Sequence, residues 1–151
     1  TDFDLKVFND VINTNITGLL LLLKNLFPIL KKNKARIAVI NSIAGRNFSE
    51  FSGIDYTISK AGLSGLVRHL SIEWSKYGIL INSVFPSMTL TPMLKKRVNS
   101  KTINELTKKL PLKNLADPID TARAVEFLIN KGNKYITGAG LDVSGGQFLS
   151  A

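Results

Sequence analysis

No cysteine occurs in the 151 residues, which rules out disulfides, thiol nucleophiles and thiolate metal sites. Histidine is nearly as scarce. His69 stands alone, so neither a histidine-rich metal centre nor a Ser-His-Asp triad can be assembled. Long apolar runs are missing too: the longest, the leucines at 19–23, ends at Lys24 and Asn25, far short of the roughly 20 residues that a membrane span needs. The first residues carry Asp2, Asp4 and Asp10 in place of a basic flank, so no targeting segment is read there. A cytoplasmic protein with no membrane partner is expected.

The remaining composition is that of a folded domain. Hydrophobic residues make up 44% and charged residues 21% of the chain, so neither a disordered nor a fibrous protein is indicated. A single domain over residues 1–151 is expected, large enough to bury roughly two thirds of its unfolded surface. The formal net charge is +9, but its sources are scattered. Lys31, Lys32, Lys34 and Arg36, then Lys95, Lys96 and Arg97, then Lys108, Lys109 and Lys113 flank the expected elements without interleaved aromatics. Such a pattern reads as solvated faces and loops, with no nucleic-acid partner. A phosphorylated cofactor or an acyl carrier would still gain from the positive field.

The chemistry concentrates at Tyr56-Thr57-Ile58-Ser59-Lys60. Four residues apart at the opening of a helical pattern, Tyr56 and Lys60 lie one turn apart on the same face. A phenol titrates near pH 10, so bringing it to neutrality takes about three pH units, on the order of 4 kcal/mol, and an adjacent ammonium supplies part of that. By spacing alone the signal is weak, since such a pair is far more often a solvated helix face. The surroundings add order: the strand-like run 36–40 is closed by Asn41 and Ser42, and a second strand, 79–84, leads to Pro86. Ser42 thus stands at the C-terminal end of its strand, where open α/β sheets place ligand sites, although a serine there is also a common turn residue.

Strand, serine, loop, Tyr-x-x-x-Lys helix, strand and proline, with Ser42 and Tyr56 14 positions apart, resemble the short-chain dehydrogenase/reductase family. The resemblance implies an α/β fold with a Rossmann-like, doubly wound parallel sheet, of which this chain holds the second part. It also implies roles. Tyr56 would be the general acid/base, Lys60 would lower the tyrosine pKa and bind the cofactor ribose, and Ser42 would hydrogen-bond the substrate oxygen. Asn15 reads from its helix as a hydrogen-bonded core amide, and in the family pattern matches an asparagine that holds a backbone distortion and a water of the proton relay, in preference to Asn13. Pro86-Ser87-Met88-Thr89-Leu90-Thr91 is similar to the loop that holds the nicotinamide carboxamide, Thr89 through its backbone amide. Ser87 replaces the family's glycine, and a positive φ there would strain it. The implied cofactor is NAD or NADP. The implied substrate is a small carbonyl or alcohol, either 3-oxoacyl-like or sugar- and polyol-like, and the implied assembly a homo-oligomer, dimer or tetramer, built on the Asn15 and Tyr56 helices.

Other elements follow from periodicity. Residues 1–32 read as one long helix interrupted near Pro28, and 56–77 as another in which Gly62 and Gly65 permit close approach of a neighbouring backbone. Residues 94–110 read as basic and helical, with Lys95, Lys96 and Arg97 either solvated or facing an anionic substrate. Asp117-Pro118 has the form of a helix cap and first turn. Residues 135–146, ending in Gly145-Gly146, resemble the family's closing strand. One signature is missing: Gly138-Ala139-Gly140 is the only Gly-x-Gly, and no glycine-rich turn joins a strand to a helix as a pyrophosphate site requires. Two expectations compete. The chain is a fragment of an ordinary reductase whose short sheet exposes an edge, or a truncated, non-catalytic remnant serving as a dimerisation or structural partner.

Overall fold

The structure is a computed structural model that describes residues 3–149. Thr1 and Asp2 of the expected opening helix lie outside the described residues, as do the side chains of Met93, Lys95 and Arg97. The helices are α1 (Leu5–Ile12), α2 (Gly18–Lys32), α3 (Ile54–Glu73), α4 (Pro92–Arg97), α5 (Ser100–Lys109) and α6 (Pro118–Ile129). The strands are β1 (Arg36–Ile40), β2 (Leu80–Pro86) and β3 (Gly140–Val143), all parallel and in the order β1-β2-β3. This is a partial Rossmann-like sheet, as the resemblance implies. The register sets Ile40 opposite Val84 and Pro86 opposite Val143, so all three strands deliver their C-terminal ends to one side.

The sheet is covered on both faces, which is why β1 and β2 read as nearly continuous apolar runs. Against one face, α2 and α3 bury Leu23, Leu63, Val67 and Leu70 on Val39 and Ile81. At the end of that layer Phe27 meets Trp74 at 5.1 Å and the edge of Tyr77 at 5.3 Å between centroids. On the other face, Ala124 and Leu128 of α6 pack on Val84. Asp117 and Asp120 close a reciprocal capping box at the start of α6, with Pro118 in its first turn. The outer edge of β1 has no partner strand among the described residues, and Ile40 on it is 45% exposed. No helix of the described residues is long and apolar enough to cross a membrane.

Four local expectations are corrected. The opening helix is interrupted at Asn13–Thr17, a π-helical turn in which the Gly18 N–H reaches the Asn13 carbonyl, and not near Pro28. Pro28 sits inside α2 and forgoes one helical hydrogen bond, a cost of about 3 kcal/mol. Burial of Leu23 and packing of Phe27 and Leu30 against the core hold the helix through it. Close approach occurs at Gly62, where a β-carbon would meet the Ile16 side chain, whereas at Gly65 it would make only ordinary contact, 4.0 Å from Arg68 Nη2. The 94–110 stretch is two helices, because Asn99 turns extended and its side chain caps the Thr102 N–H at 2.9 Å. The last strand begins only at Gly140, since Gly138 takes a φ of 72°.

The segment before β3 is held to β2 by main-chain bonds, Gly138 N–H to the Ile81 carbonyl and Ser83 N–H to the Ala139 carbonyl, both at 2.8 Å, and by the side chain of Asn82. Buried Asn82 donates to the Ile136 carbonyl at 2.9 Å and accepts from the Ala139 N–H at 3.0 Å. Asn82→Ala would leave both part-buried main-chain groups without this partner and a gap at a fully buried position. We expect it to lower unfolding free energy by about 2–3 kcal/mol in denaturant titrations, more than Asn130→Ala on the exposed end of α6.

Candidate active site

The site forms where β1 and β2 end. The Asn41 N–H donates to the Val84 carbonyl at 2.8 Å, carrying the ladder one residue beyond β1. Its side chain then works in both directions, accepting from the Ser42 N–H at 2.9 Å and donating to Ser64 Oγ of α3 at 3.0 Å. Ser42 Oγ accepts from the Ala44 N–H at 3.2 Å and so caps a single 3-10 turn, Ile43–Gly45. An accepting hydroxyl keeps its own hydrogen to donate. That turn lies directly on α3: a β-carbon at Gly45 would stand 2.7 Å from the Lys60 carbonyl carbon and 2.9 Å from the Ala61 nitrogen. Glycine is the one residue that fits.

Tyr56 occupies the first turn of α3 and is 36% exposed. Lys60, one turn on, holds its ammonium 5.5 Å from the Tyr56 ring centroid and donates to the Ile40 carbonyl at 3.1 Å. The end of β1 therefore aims the lysine. Burial of the ammonium pushes its pKa below the ordinary 10.5, because desolvation penalises the charged form.

Asn15 lies in the π-helical turn, the backbone distortion expected at that position. Its Nδ2 donates to Ser59 Oγ at 2.9 Å, and Ser59 Oγ donates to the Tyr56 carbonyl at 2.8 Å. Two hydrogen bonds thus tie the Asn15 turn to the first turn of α3. Ser59 is fully buried and was not singled out from the sequence. Its signal there is a small hydroxyl residue at a core-facing helical position between Tyr56 and Lys60.

Pro86 ends β2, and Ser87, Thr89 and Thr91 follow it on the same side of the sheet. The Ser87 N–H donates to the Val143 carbonyl at 3.0 Å, and Ser87 is not among the positive-φ residues, so the glycine replacement carries no strain of that kind. Thr89 Oγ1 donates to the Ser87 carbonyl at 3.1 Å, while the Thr89 N–H has no partner among the described residues. Thr91 caps α4 by accepting from the Leu94 N–H at 3.2 Å, which leaves its hydroxyl hydrogen available. No hydrogen bond among the described residues joins this loop to Ser42, Tyr56 or Lys60. His69, the single histidine, stands apart on an exposed face of α3, 3.2 Å from Glu73.

A family model described as enoyl-(acyl carrier protein) reductase matches residues 1–147. The (3R)-3-hydroxyacyl-CoA dehydrogenase of Homo sapiens is 35% identical over 144 residues, covering 94% of this chain and 54% of that protein. Among solved structures, a 3-oxoacyl-[acyl-carrier protein] reductase from Brucella melitensis aligns with a TM-score of 0.92 at 25% identity, over 99% of this chain and 56% of its own. ElxO with NADP bound aligns with a TM-score of 0.87 at 30% identity, over 96% and 59%. The chain spans about half the length of the curated relatives it matches.

Two outcomes test the geometry. Gly45→Ala should destabilise the chain by about 1–3 kcal/mol in denaturant unfolding, since the added carbon meets helix backbone that cannot rotate away. Lys60 supplies a pH signature. With a native pKa below 10.5, the folded chain binds fewer protons than the unfolded one between the two values, so stability rises with pH across that window and is lost as pH falls through the native value. Stability of the wild type relative to Lys60→Met should therefore climb as pH approaches 10.5; a flat difference would refute the desolvated lysine.

Proposed function

The chain belongs to the short-chain dehydrogenase/reductase family, and from that premise we propose that it carries the proton-transfer site of an NAD(P)-dependent oxidoreductase that reduces a carbonyl or oxidises an alcohol. The observation that carries this reading is the anchoring of Lys60 beside Tyr56 by the Ile40 carbonyl. A lysine left to solvent would be a helix-face charge. One held half-buried beside a phenol is placed to meet negative charge that develops there during proton transfer.

In the reducing direction the Tyr56 hydroxyl gives its proton to the substrate oxygen, and in the oxidising direction it takes the proton back. The Lys60 ammonium favours the negative charge left on the phenol, and the free Ser42 hydroxyl hydrogen bonds the same substrate oxygen to orient it. Asn15, fixed through Ser59, supports the relay that returns the proton to Tyr56. Donors fit the nicotinamide end of the cofactor: the unspent Thr89 N–H and the Thr91 hydroxyl suit a carboxamide, with Pro86 and Ser87 shaping the loop and Lys60 in reach of a ribose hydroxyl. When bound, the nicotinamide supplies or accepts the hydride. For the pyrophosphate end the described residues offer no fit, since Gly138 and Gly140 lead into β3 and not into a helix N-terminus.

The relatives' names point to acyl thioesters, so a 3-oxoacyl or 3-hydroxyacyl thioester is favoured over a sugar or polyol as substrate. The positive net charge suits such anionic carriers. A cytoplasmic setting and a homo-oligomer complete the proposal. The oligomer is supported by Leu22, Leu26 and Ile29, an exposed apolar stripe at helical spacing on α2. The same stripe supports the second reading, a non-catalytic dimerisation partner.

Fluorescence titration of the chain with NADH and NADPH separates the two readings. Saturable micromolar binding, with turnover reduced about 10²–10⁴-fold in Tyr56→Phe and cofactor binding retained, is the expected result. A folded, dimeric chain that binds neither nucleotide would leave the partner reading in its place.

A further inference from the structure

Behind the Ser42 turn, between α3 and the β2-β3 pair, lies a small cavity of about 90 Å³ lined by Arg46, Ser64, Arg68, Ser83 and Gly140 among others. It is well above the roughly 10–15 Å³ that admits one water. The opening exists because Ser83 faces Gly140 across the ladder, so no side chain from β3 fills the space. Ser83 is 2% exposed, and its Oγ has no hydrogen-bond partner. An orphaned buried hydroxyl of this kind calls for an occupant.

The other groups around the cavity are donors with capacity left over. Arg46 is fixed by stacking 3.6 Å above the Phe85 ring and by two hydrogen bonds from its Nη1 to the Asp142 carboxylate, at 2.9 and 3.0 Å. Its Nη2 lies where a β-carbon of residue 140 would stand, and makes no hydrogen bond among the described residues. Arg68 forms no ion pair among the described residues. The nearby acceptors each serve a partner already: Asp142 serves Arg46, the Ala139 carbonyl takes the Ser83 N–H at 2.8 Å, and Ser64 Oγ accepts from Asn41. Two guanidiniums and a buried, unpartnered hydroxyl thus line one small space.

We propose that this cavity is an anion site, separate from the Tyr56-Lys60 centre, which takes a small tetrahedral oxyanion of the phosphate or sulfate class. Ser83 Oγ, Arg46 Nη2 and the Arg68 guanidinium are its donors. Because Arg46 directly follows Gly45, the bound anion also buttresses the turn that carries Ser42. The proposal does not depend on the oxidoreductase reading.

The test is calorimetric titration of the 151-residue chain with inorganic phosphate at constant ionic strength, beside Ser83→Ala, Arg68→Gln and the distant surface control Arg123→Gln. One saturable site in the wild type and in Arg123→Gln, weakened at least tenfold by Ser83→Ala and by Arg68→Gln, is expected. Thermal melts add a signature of opposite sign. In phosphate-free buffer Ser83→Ala should melt at or above the wild type, since an orphan hydroxyl is removed, and in phosphate the order should reverse. Absence of saturable binding, or equal binding in all four chains, would overturn the site in favour of an adventitious ion only. A loss of oligomer mass in Arg68→Gln with no response to phosphate would overturn it in favour of a carboxylate from a second copy.

Discussion

The contact on which the site depends is the one between the Ser42 turn and the backbone of α3. With 2.7 Å between a notional Gly45 β-carbon and the Lys60 carbonyl carbon, the turn and the helix meet main chain to main chain. Side chains relax around such a contact, but two backbones do not. The hydroxyl of Ser42 and the residues on the first turns of α3 are therefore placed relative to each other by main-chain steric contact. Asn41 reinforces the arrangement from the strand side, because its amide spans β1's end and Ser64.

Apolar burial and polar pairing divide the work differently on either side of that contact. Leu23, Val67, Ile79 and Ile81 supply the driving force for stacking α2 and α3 on the sheet, yet packing of this kind would tolerate small rotations of a helix. The bonds from Asn15 to Ser59 and from Ser59 to the Tyr56 carbonyl do not. A buried polar group must meet its partner or carry the full cost of desolvation, so the π-helical turn and the first turn of α3 are held in one relative position. Asn82 does the same for the segment that leads into β3. In each case an amide or hydroxyl in an apolar layer selects one geometry among several that bury similar area.

That division also explains what was legible in the sequence. The strands, the α3 helix with Tyr56 and Lys60, and the Asp117 cap were readable because each leaves a local pattern of alternation, spacing or capping. The π-helical turn was legible only through the family resemblance, which places a backbone distortion at Asn15; periodicity runs through Asn13 to Thr17 unbroken, and tertiary contacts decide that one residue is looped out. Pro28 misled because the local rule against proline in a helix is overridden by the core beneath Leu23 and Phe27. Ser59 was invisible for a related reason, since its value lies in Asn15, 44 residues away. The start of β3 was misjudged because the stretch before it still bonds to β2 through main chain and through Asn82, while the positive φ of Gly138 keeps it from being strand.

The desolvated state of Lys60 links the site's structure to its chemistry. Burial raises the energy of the ammonium, and the Ile40 carbonyl restores only part of what water would give. A negative charge arriving beside it is the partner that such an ammonium lacks. The Ser42 hydroxyl hydrogen, unspent in the turn it caps, is likewise left for a ligand. A lysine aimed by the end of β1 and short of a counter-charge is built to respond to what binds next to it, so the Ile40 carbonyl matters to the site as much as the ammonium it holds.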